Sequence, residues 1–341
     1  MKKIYFYPGP YIKTGGNNPY LINLTNSIEK YAIVLNKYRT NSLNEFNILL
    51  NFFRADFFYF NWIETTSNKK YGSIRFIFLL VVLVLIKIHP KKKIIWTHHN
   101  LYSHKGVNSL VDFLIMWLGK NSDYVVAHSK QTYTQMNIYK RTKPIIYFPH
   151  PISTTYKNSK TLPNNKEYDM LIWGKMSKYK GIHDYIEFLQ SDVFLKKHKI
   201  LLAGKFSDEE YYFELKSKTT KNITILNKYF SHDEIVKFHK KSRYILFIYN
   251  HNSVLNSGIL ADSLGYRHTG IIGPNKGAFK DLEEQNLIFT YDEFYDIKKI
   301  INNNKFKDFN QINNFCEAHS WDNFANKFQK LVINDMTFSK T

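Results

Sequence analysis

Cysteine is almost absent from this chain. Its single residue, Cys316, excludes an internal disulfide framework and any cysteine-built metal site. Long apolar runs are missing too. The longest spans eleven residues, Phe76 to Ile86, against the ~20 that cross a bilayer. Arg75 and Lys87 fence it and Lys91 to Lys93 follow, so it reads as a buried helix or one lying on an anionic membrane surface. No signal peptide is expected, because the apolar stretch after Met1 stops at Pro8. Low-complexity tracts, nucleic-acid-binding motifs and the dinucleotide glycine fingerprint do not occur. Acids are scarce: 28 Asp and Glu stand against 48 Lys and Arg, for a net charge of +20. The deficit is uneven. Residues 1–150 carry 20 basic and 6 acidic side chains (+14), and the remainder 28 and 22 (+6). A basic N-terminal half suits nucleic acid, an acidic membrane surface or a phosphorylated substrate. A lysine-rich coding bias is the plain alternative.

What is present is enough for two cores. At ~150 residues per domain, 341 residues predict two domains, and 44% of them are hydrophobic. Strands are expected at Lys3–Tyr7, 57–62, Lys93–Thr97, Tyr124–Ser129 and Pro144–Pro149, with a Gly15-Gly16 loop after the first. A helix opened by Asn18-Pro19 should run to about Leu35. A polar stretch, Ser153–Glu167, reads as a linker. Strands follow again at Asp169–Trp173, Lys199–Ala203, Ile223–Leu226, Tyr244–Tyr249, Thr269–Ile272 and Leu287–Thr290, and an amphipathic helix starts at Ser320. Strands alternating with helices predict an α/β fold of two doubly wound parallel halves. Ligands should bind where the C-terminal strand edges face each other across a cleft.

One stretch stands out chemically. After the Tyr244–Tyr249 strand, Ser257-Gly258 opens a helix with Asp262 one turn in. Free N–H groups and the positive end of the helix dipole welcome an anion at such a helix start, and a carboxylate one turn in can reach a ribose hydroxyl. An ordinary capped turn is the competing reading. In the first half, His98, His99, Asn100 and His104 follow a strand. Zinc fits them poorly without a nearby carboxylate, so hydroxyl recognition is the better reading, with His99 or His104 as base. Glu64 is the other base candidate. His150, fixed by Pro151, could line the same region with Gly15, Gly16 and Asn100. Any of these could equally be a core histidine or a plain surface acid.

Several motifs, taken in order, resemble GT-B glycosyltransferases, in particular family 4-like enzymes of bacterial capsule, O-antigen and exopolysaccharide synthesis. They are Trp96-Thr-His-His-Asn-Leu-Tyr-Ser-His104, Ile172-Trp-Gly-Lys-Met-Ser-Lys-Tyr-Lys-Gly-Ile182, Ile200-Leu-Leu-Ala-Gly204, Asn256-Ser-Gly through Gly277-Ala-Phe279, and Ser320-Trp321. The likeness spans nearly the whole chain. It implies residues 1–155 as an acceptor-binding Rossmann-like domain and 156–319 as a nucleotide-sugar-binding one. Residues 320–341 would be a helix crossing back to the first domain. It also implies a metal-independent, hexosyltransferase-type enzyme without a cofactor, the nucleoside diphosphate-sugar being a substrate. Lys175 and Lys180 would hold the diphosphate with Ser257 and Gly258, and Asp262, Gly174 and Asn256 the ribose and nucleotide. The acceptor would be a saccharide, carried on lipid at the inner face of the plasma membrane, with peripheral contact to anionic lipid and none to nucleic acid.

The chain departs from the pattern at five positions. Val254 replaces the first of two glutamates and Asp262 the second. Lys175 replaces an arginine, Arg267 a glycine, and Asn61 the histidine of a His-Trp pair. A nucleotide-sugar epimerase on the same fold, a basic nucleic-acid-binding protein and an inactive scaffold are the alternatives.

Overall fold

The computed structural model describes residues 1–10, 19–37, 44–63, 66, 71–101, 109–154, 166–249 and 255–335. The chain divides into two compact units, Met1–Pro151 with His319–Thr341, and Ile152–Ala318. The break falls at Pro151, at the head of the polar stretch.

In the first unit, β1 (Lys3–Tyr7), β2 (Ile33–Val34), β3 (Phe57–Phe60), β4 (Lys93–His98), β5 (Tyr124–Ala127) and β6 (Ile145–Tyr147) form a parallel sheet. Its strand order is β2-β1-β3-β4-β5-β6. All strands but the β2 edge and β6 are almost wholly buried, as a sheet covered on both faces requires. Alternate side chains feed two cores. One takes Tyr5, Phe58 and Trp96 with α2 (Asn44–Leu50), α3 (Gly72–Ile88), α4 (Ser109–Asn121) and α5 (Gln131–Ile138). The other takes Phe6, Tyr59 and Val126 with α1 (Pro19–Ile28) and the C-terminal segment.

The helix expected to reach Leu35 stops at Ile28, and β2 was not foreseen. A two-residue strand leaves no period-2 signature. It is held by backbone pairing to β1 and by Asn36, whose amide accepts from Phe6 N (3.0 Å) and donates to Phe6 O (2.7 Å) as a backbone peptide would.

In the second unit, β7 (Tyr168–Trp173), β8 (Ile200–Ala203), β9 (Ile223–Leu226), β10 (Ser242–Leu246), β11 (Ile271–Pro274) and β12 (Phe289–Tyr291) pair in the order β12-β11-β10-β7-β8-β9, all parallel. Counted within the unit, this is 6-5-4-1-2-3, the doubly wound dinucleotide-fold order, and it reverses direction between β7 and β10. The helices are α6 (Ile182–Ser191), α7 (Glu209–Ser217), α8 (His232–Lys241), α9 (Gly258–Gly265), α10 (Gly277–Glu283), α11 (Phe294–Asn302) and α12 (Phe309–Ala318). The last helix, α13 (Trp321–Phe328), is capped by Ser320, whose Oγ accepts from Asn323 N (3.2 Å). It returns to the first unit, where Phe324 and Phe328 fill the core beside α1.

Candidate functional site

The switch point of the second sheet holds Gly174, Lys175, Lys180 and the Ser257–Gly258 helix start, the residues expected around the diphosphate and nucleotide. The loop after β7 begins at Gly174, whose φ of 93° is left-handed and favours glycine. Gly204, after β8, lies against it: a Cβ on Gly204 would sit 1.8 Å from Gly174 O. Gly174 N donates to Ala203 O (3.0 Å) and Met176 N to Lys205 O (3.0 Å), so the β7–β8 ladder runs on into the loop. A short 3₁₀ turn, Lys178–Lys180, then ends at Gly181 (φ 69°), which leads into α6.

This loop separates its lysines. Lys175 and Lys178 are exposed, and Lys178 pairs with Glu214 (2.9 Å). Lys180 is buried, at 6% exposure. Its Nζ lies 3.8 Å from where a Gly174 Cβ would stand and 5.8 Å from the centroid of the Tyr249 ring. Among the described residues no carboxylate pairs with it. Burial, with the Lys175 charge added, pulls its ammonium down to about 8.

The start of α9 faces the same loop, since the Ile259 side chain would meet that same Gly174 Cβ at 3.1 Å. Ser257 is its N-cap, with Oγ accepting from Leu260 N (3.4 Å). Tyr249 Oη lies 3.3 Å from Ser257 Oγ, and Asn256 Oδ1 accepts from Ser257 N (2.8 Å). The N–H groups of Gly258 and Ile259 precede the first intrahelical bonds, which Leu260 N (3.1 Å) and Ala261 N (3.2 Å) make to Ser257 O. A buried cation and a helix N-terminus therefore converge beside a glycine loop, an arrangement suited to an anion. Asp262, one turn in, is half-buried, and burial alone pushes its carboxyl up to about 7. Trp173 Nε1 donates to Ser263 Oγ (3.1 Å) and ties α9 to the end of β7.

Arg267 ends this segment in a left-handed conformation (φ 60°), the one a glycine would adopt freely. Its buried guanidinium donates to Gly265 O (2.8 Å), Asn313 Oδ1 (2.9 Å) and Glu317 Oε1 (3.0 Å). Those bonds to α12 offset the backbone cost, which accounts for an arginine at this position.

A second cluster belongs to the first unit. His99 follows β4 and stacks on Trp62 at 4.1 Å and 13°. Its Nε2 lies 3.0 Å from Asn61 Oδ1. Tyr20, from α1, meets His99, His128, His150, Trp62 and Trp321 edge-on at 5.0–5.6 Å. His128 Nδ1 donates to Phe148 O (2.7 Å), which leaves Nε2 to accept from the Tyr20 hydroxyl (2.8 Å). His150 Nδ1 donates to Pro151 O (2.9 Å). Burial holds these rings neutral. His128 falls to about 3 and His150 to about 4, and His99 is also well below the usual imidazole value. Trp62 stands at φ 44°, a strained place for a tryptophan and one found mostly at functional sites. The Asn61 Nδ2 is buried without an acceptor among the described residues.

The structure separates His98 from this group. Its Nδ1 pairs with Thr132 of α5 (3.2 Å) and its ring lies against Trp96, because successive β4 residues face opposite ways. Asn100 is buried next to His99. Gly15, Gly16, Glu64, His104 and Val254 lie outside the described residues. Sequence reasoning missed Tyr249, Tyr20 and Trp321 as site residues. Tyr249 and Trp321 did stand where an expected strand ended and an expected helix began. Tyr20 gave no signal of its own. Among the described residues no group of three His, Cys, Asp or Glu could hold a metal ion.

No protein-family model and no curated protein matches the sequence. Solved structures do. AviGT4, a glycosyltransferase involved in avilamycin A biosynthesis, superposes at TM-score 0.63 over 100% of this chain and 99% of its own, with 10% identity. The lipopolysaccharide outer core galactosyltransferase WaaB, in its apo form, gives 0.62 over 100% of both chains at 13% identity. Sucrose-phosphate synthase from Thermosynechococcus elongatus gives 0.63 over 100% of both at 11%. At such identities the likeness shows the fold: two six-stranded parallel α/β sheets, as in GT-B glycosyltransferase structures.

Proposed function

We propose that this protein is a glycosyltransferase that moves a sugar from a nucleoside diphosphate-sugar to a saccharide acceptor. The observation that carries the reading is Lys180, a buried lysine without a counter-charge among the described residues, set beside Gly174 and the Ser257–Gly258 helix start. A buried cation is costly unless an anion completes it, and a diphosphate is an anion of the right kind. As the bond to the sugar breaks, Lys180, the Gly258 and Ile259 N–H groups and the exposed Lys175 would stabilise the negative charge growing on the leaving diphosphate without a metal. Asp262 would accept from the ribose hydroxyls, which favours its ionised form.

The acceptor reading rests on the first unit. The half-exposed Trp62 and Trp321 rings offer apolar faces, and Asn61 Nδ2 is a donor without an acceptor among the described residues. His99, neutral and stacked, is the base we assign. We take the acceptor to be a lipid-linked saccharide of bacterial surface polysaccharide synthesis, presented at the inner face of the plasma membrane. The motifs resembling family 4-like enzymes support this, as does the fold shared with WaaB.

The test is a thermal-shift panel of UDP-, GDP-, dTDP- and CMP-sugars, followed by transfer with the donor that binds. A ligand at 100 times its Kd should add ~2.7 kcal/mol of stability. Absence of stabilisation by every donor, or full turnover in Lys180→Ala, would refute the assignment. Isomerised donor without acceptor would establish the epimerase instead.

A further inference from the structure

The helix α3 is apolar on both sides, and only one side is covered. Phe76, Leu79, Val82, Leu83 and Ile86 pack into the core. On the opposite side Ile74, Ile77, Val81, Leu85 and Ile88 form a stripe at helical spacing and stand open, with Ile77 61% and Ile88 70% exposed. Phe53, in the turn that follows the neighbouring α2, is 88% exposed and enlarges the surface. Contiguous apolar surface of this kind marks an interaction site. It is too short to cross a bilayer: no helix among the described residues is long and apolar enough. At ~1.5 Å per residue, α3 is instead a rod of ~25 Å that can lie flat.

Charge selects the occupant. Residues 71–120 contain seven Lys or Arg and a single acid, Asp112. Lys87 is turned away from the stripe toward Asp123 (3.3 Å), while Arg54, Lys91 and Lys120 are exposed. A second copy of the chain would bring this like-charged surface against itself. An anionic bilayer takes both features at once, with aliphatic side chains below the headgroups and lysines among them.

We infer that the α3 stripe, with Phe53, is a docking surface for anionic phospholipid, on which the first unit lies with α3 parallel to the bilayer plane. The inference rests on the proposed function only for where in the cell that bilayer is met.

The experiment is co-sedimentation of the full chain with phosphatidylcholine vesicles, with and without 30% phosphatidylglycerol (about a third anionic lipid, enough for surface attraction). The chain should partition onto the anionic vesicles at least tenfold better than onto neutral ones. Ile77→Glu/Val81→Glu should abolish that binding. Lys91→Gln and Lys120→Gln should weaken it by about fivefold each. Both side chains of the double variant are exposed, so its melting point should match the wild type. If it fails to fold, Ile77→Ser/Val81→Ser takes its place. Equal binding by wild type and double variant overturns the inference, and so does absence of vesicle binding. A dimer in sedimentation velocity that the double variant dissolves would also overturn it, by assigning the stripe to a second copy. Vesicle binding is read without turnover, so its failure leaves the transferase reading standing, and loss of transfer leaves this one standing.

Discussion

Replacing Lys180 by Met should separate stability from function. A buried ammonium whose value falls from the ordinary 10.5 to about 8 costs the empty folded state on the order of 3 kcal/mol, at ~1.36 kcal/mol per pH unit. The sign follows from proton binding. Between about 8 and 10.5 the unfolded chain holds this proton and the folded chain does not, so folding is favoured as pH rises through that window. Below pH 8 the cost is fully present. Lys180→Met removes it, so the variant should melt higher than wild type at pH 7. The same variant should lose roughly 10²–10³ in kcat/KM for sugar transfer, the usual effect of deleting one preorganised group that stabilises developing charge.

Binding ties the two together. A diphosphate beside Lys180 should restore its value to at least 10.5. Through Lys180, UDP binding should then take up about 0.1 proton at pH 7 and about 0.9 at pH 9, because the lysine of the empty site is mostly charged at the first and mostly neutral at the second; at pH 7 Asp262, ionised by the bound ribose, releases about half a proton against it. Calorimetric titration of UDP in two buffers of different ionisation enthalpy measures this directly. Lys180→Met should take up no proton at pH 9, where Asp262 is already ionised. A wild type without extra proton uptake at pH 9, or a variant that keeps it, refutes the placement of the phosphate.

Asp262→Asn should weaken UDP binding by about tenfold. Because burial raises this carboxyl to about 7, its stabilising proton is lost as pH rises from 3.8 through 7, so the variant should be more stable than wild type at pH 8 by about 1–2 kcal/mol after allowing for partial exposure. Gly204→Ala drives a methyl into Gly174 O and should cost at least ~3 kcal/mol along with donor binding, as melting and thermal shift would show. His98 and His128, near 3, and His268, near 4, refuse protons that the unfolded chain accepts below 6.5. Each should cost up to ~1.4 kcal/mol per pH unit as pH falls from 6.5 toward 4, so melting at pH 5 should lie well below that at pH 7. Trp62→Ala should raise the KM for acceptor by about tenfold or more and leave donor binding unchanged, which steady-state kinetics with each substrate varied would separate.

Much of this fold was legible in the sequence, because the relevant signals are local. Apolar runs such as Lys93–Thr97 and Ile223–Leu226 mark strands by themselves, and Ser257 and Ser320 mark helix starts by their own hydroxyls. Those signals were enough to place a capped helix start after β10 and a lysine loop after β7. They could not show that β7 and β10 are neighbours, since strand order depends on pairing between residues some seventy positions apart. Only that pairing brings the Ser257–Gly258 helix start against Gly174. The lysines show the same limit. Lys175 and Lys180 look alike in a lysine-rich chain, yet one is exposed and the other is buried by a 3₁₀ turn and the Tyr249 ring. Burial is a property of everything packed around a side chain, and neighbours in sequence do not report it. The aromatic cluster around Tyr20 draws on α1, the ends of four strands and α13, six separate parts of the chain. Chain chemistry determined which side chains were on offer; packing decided which of them meet.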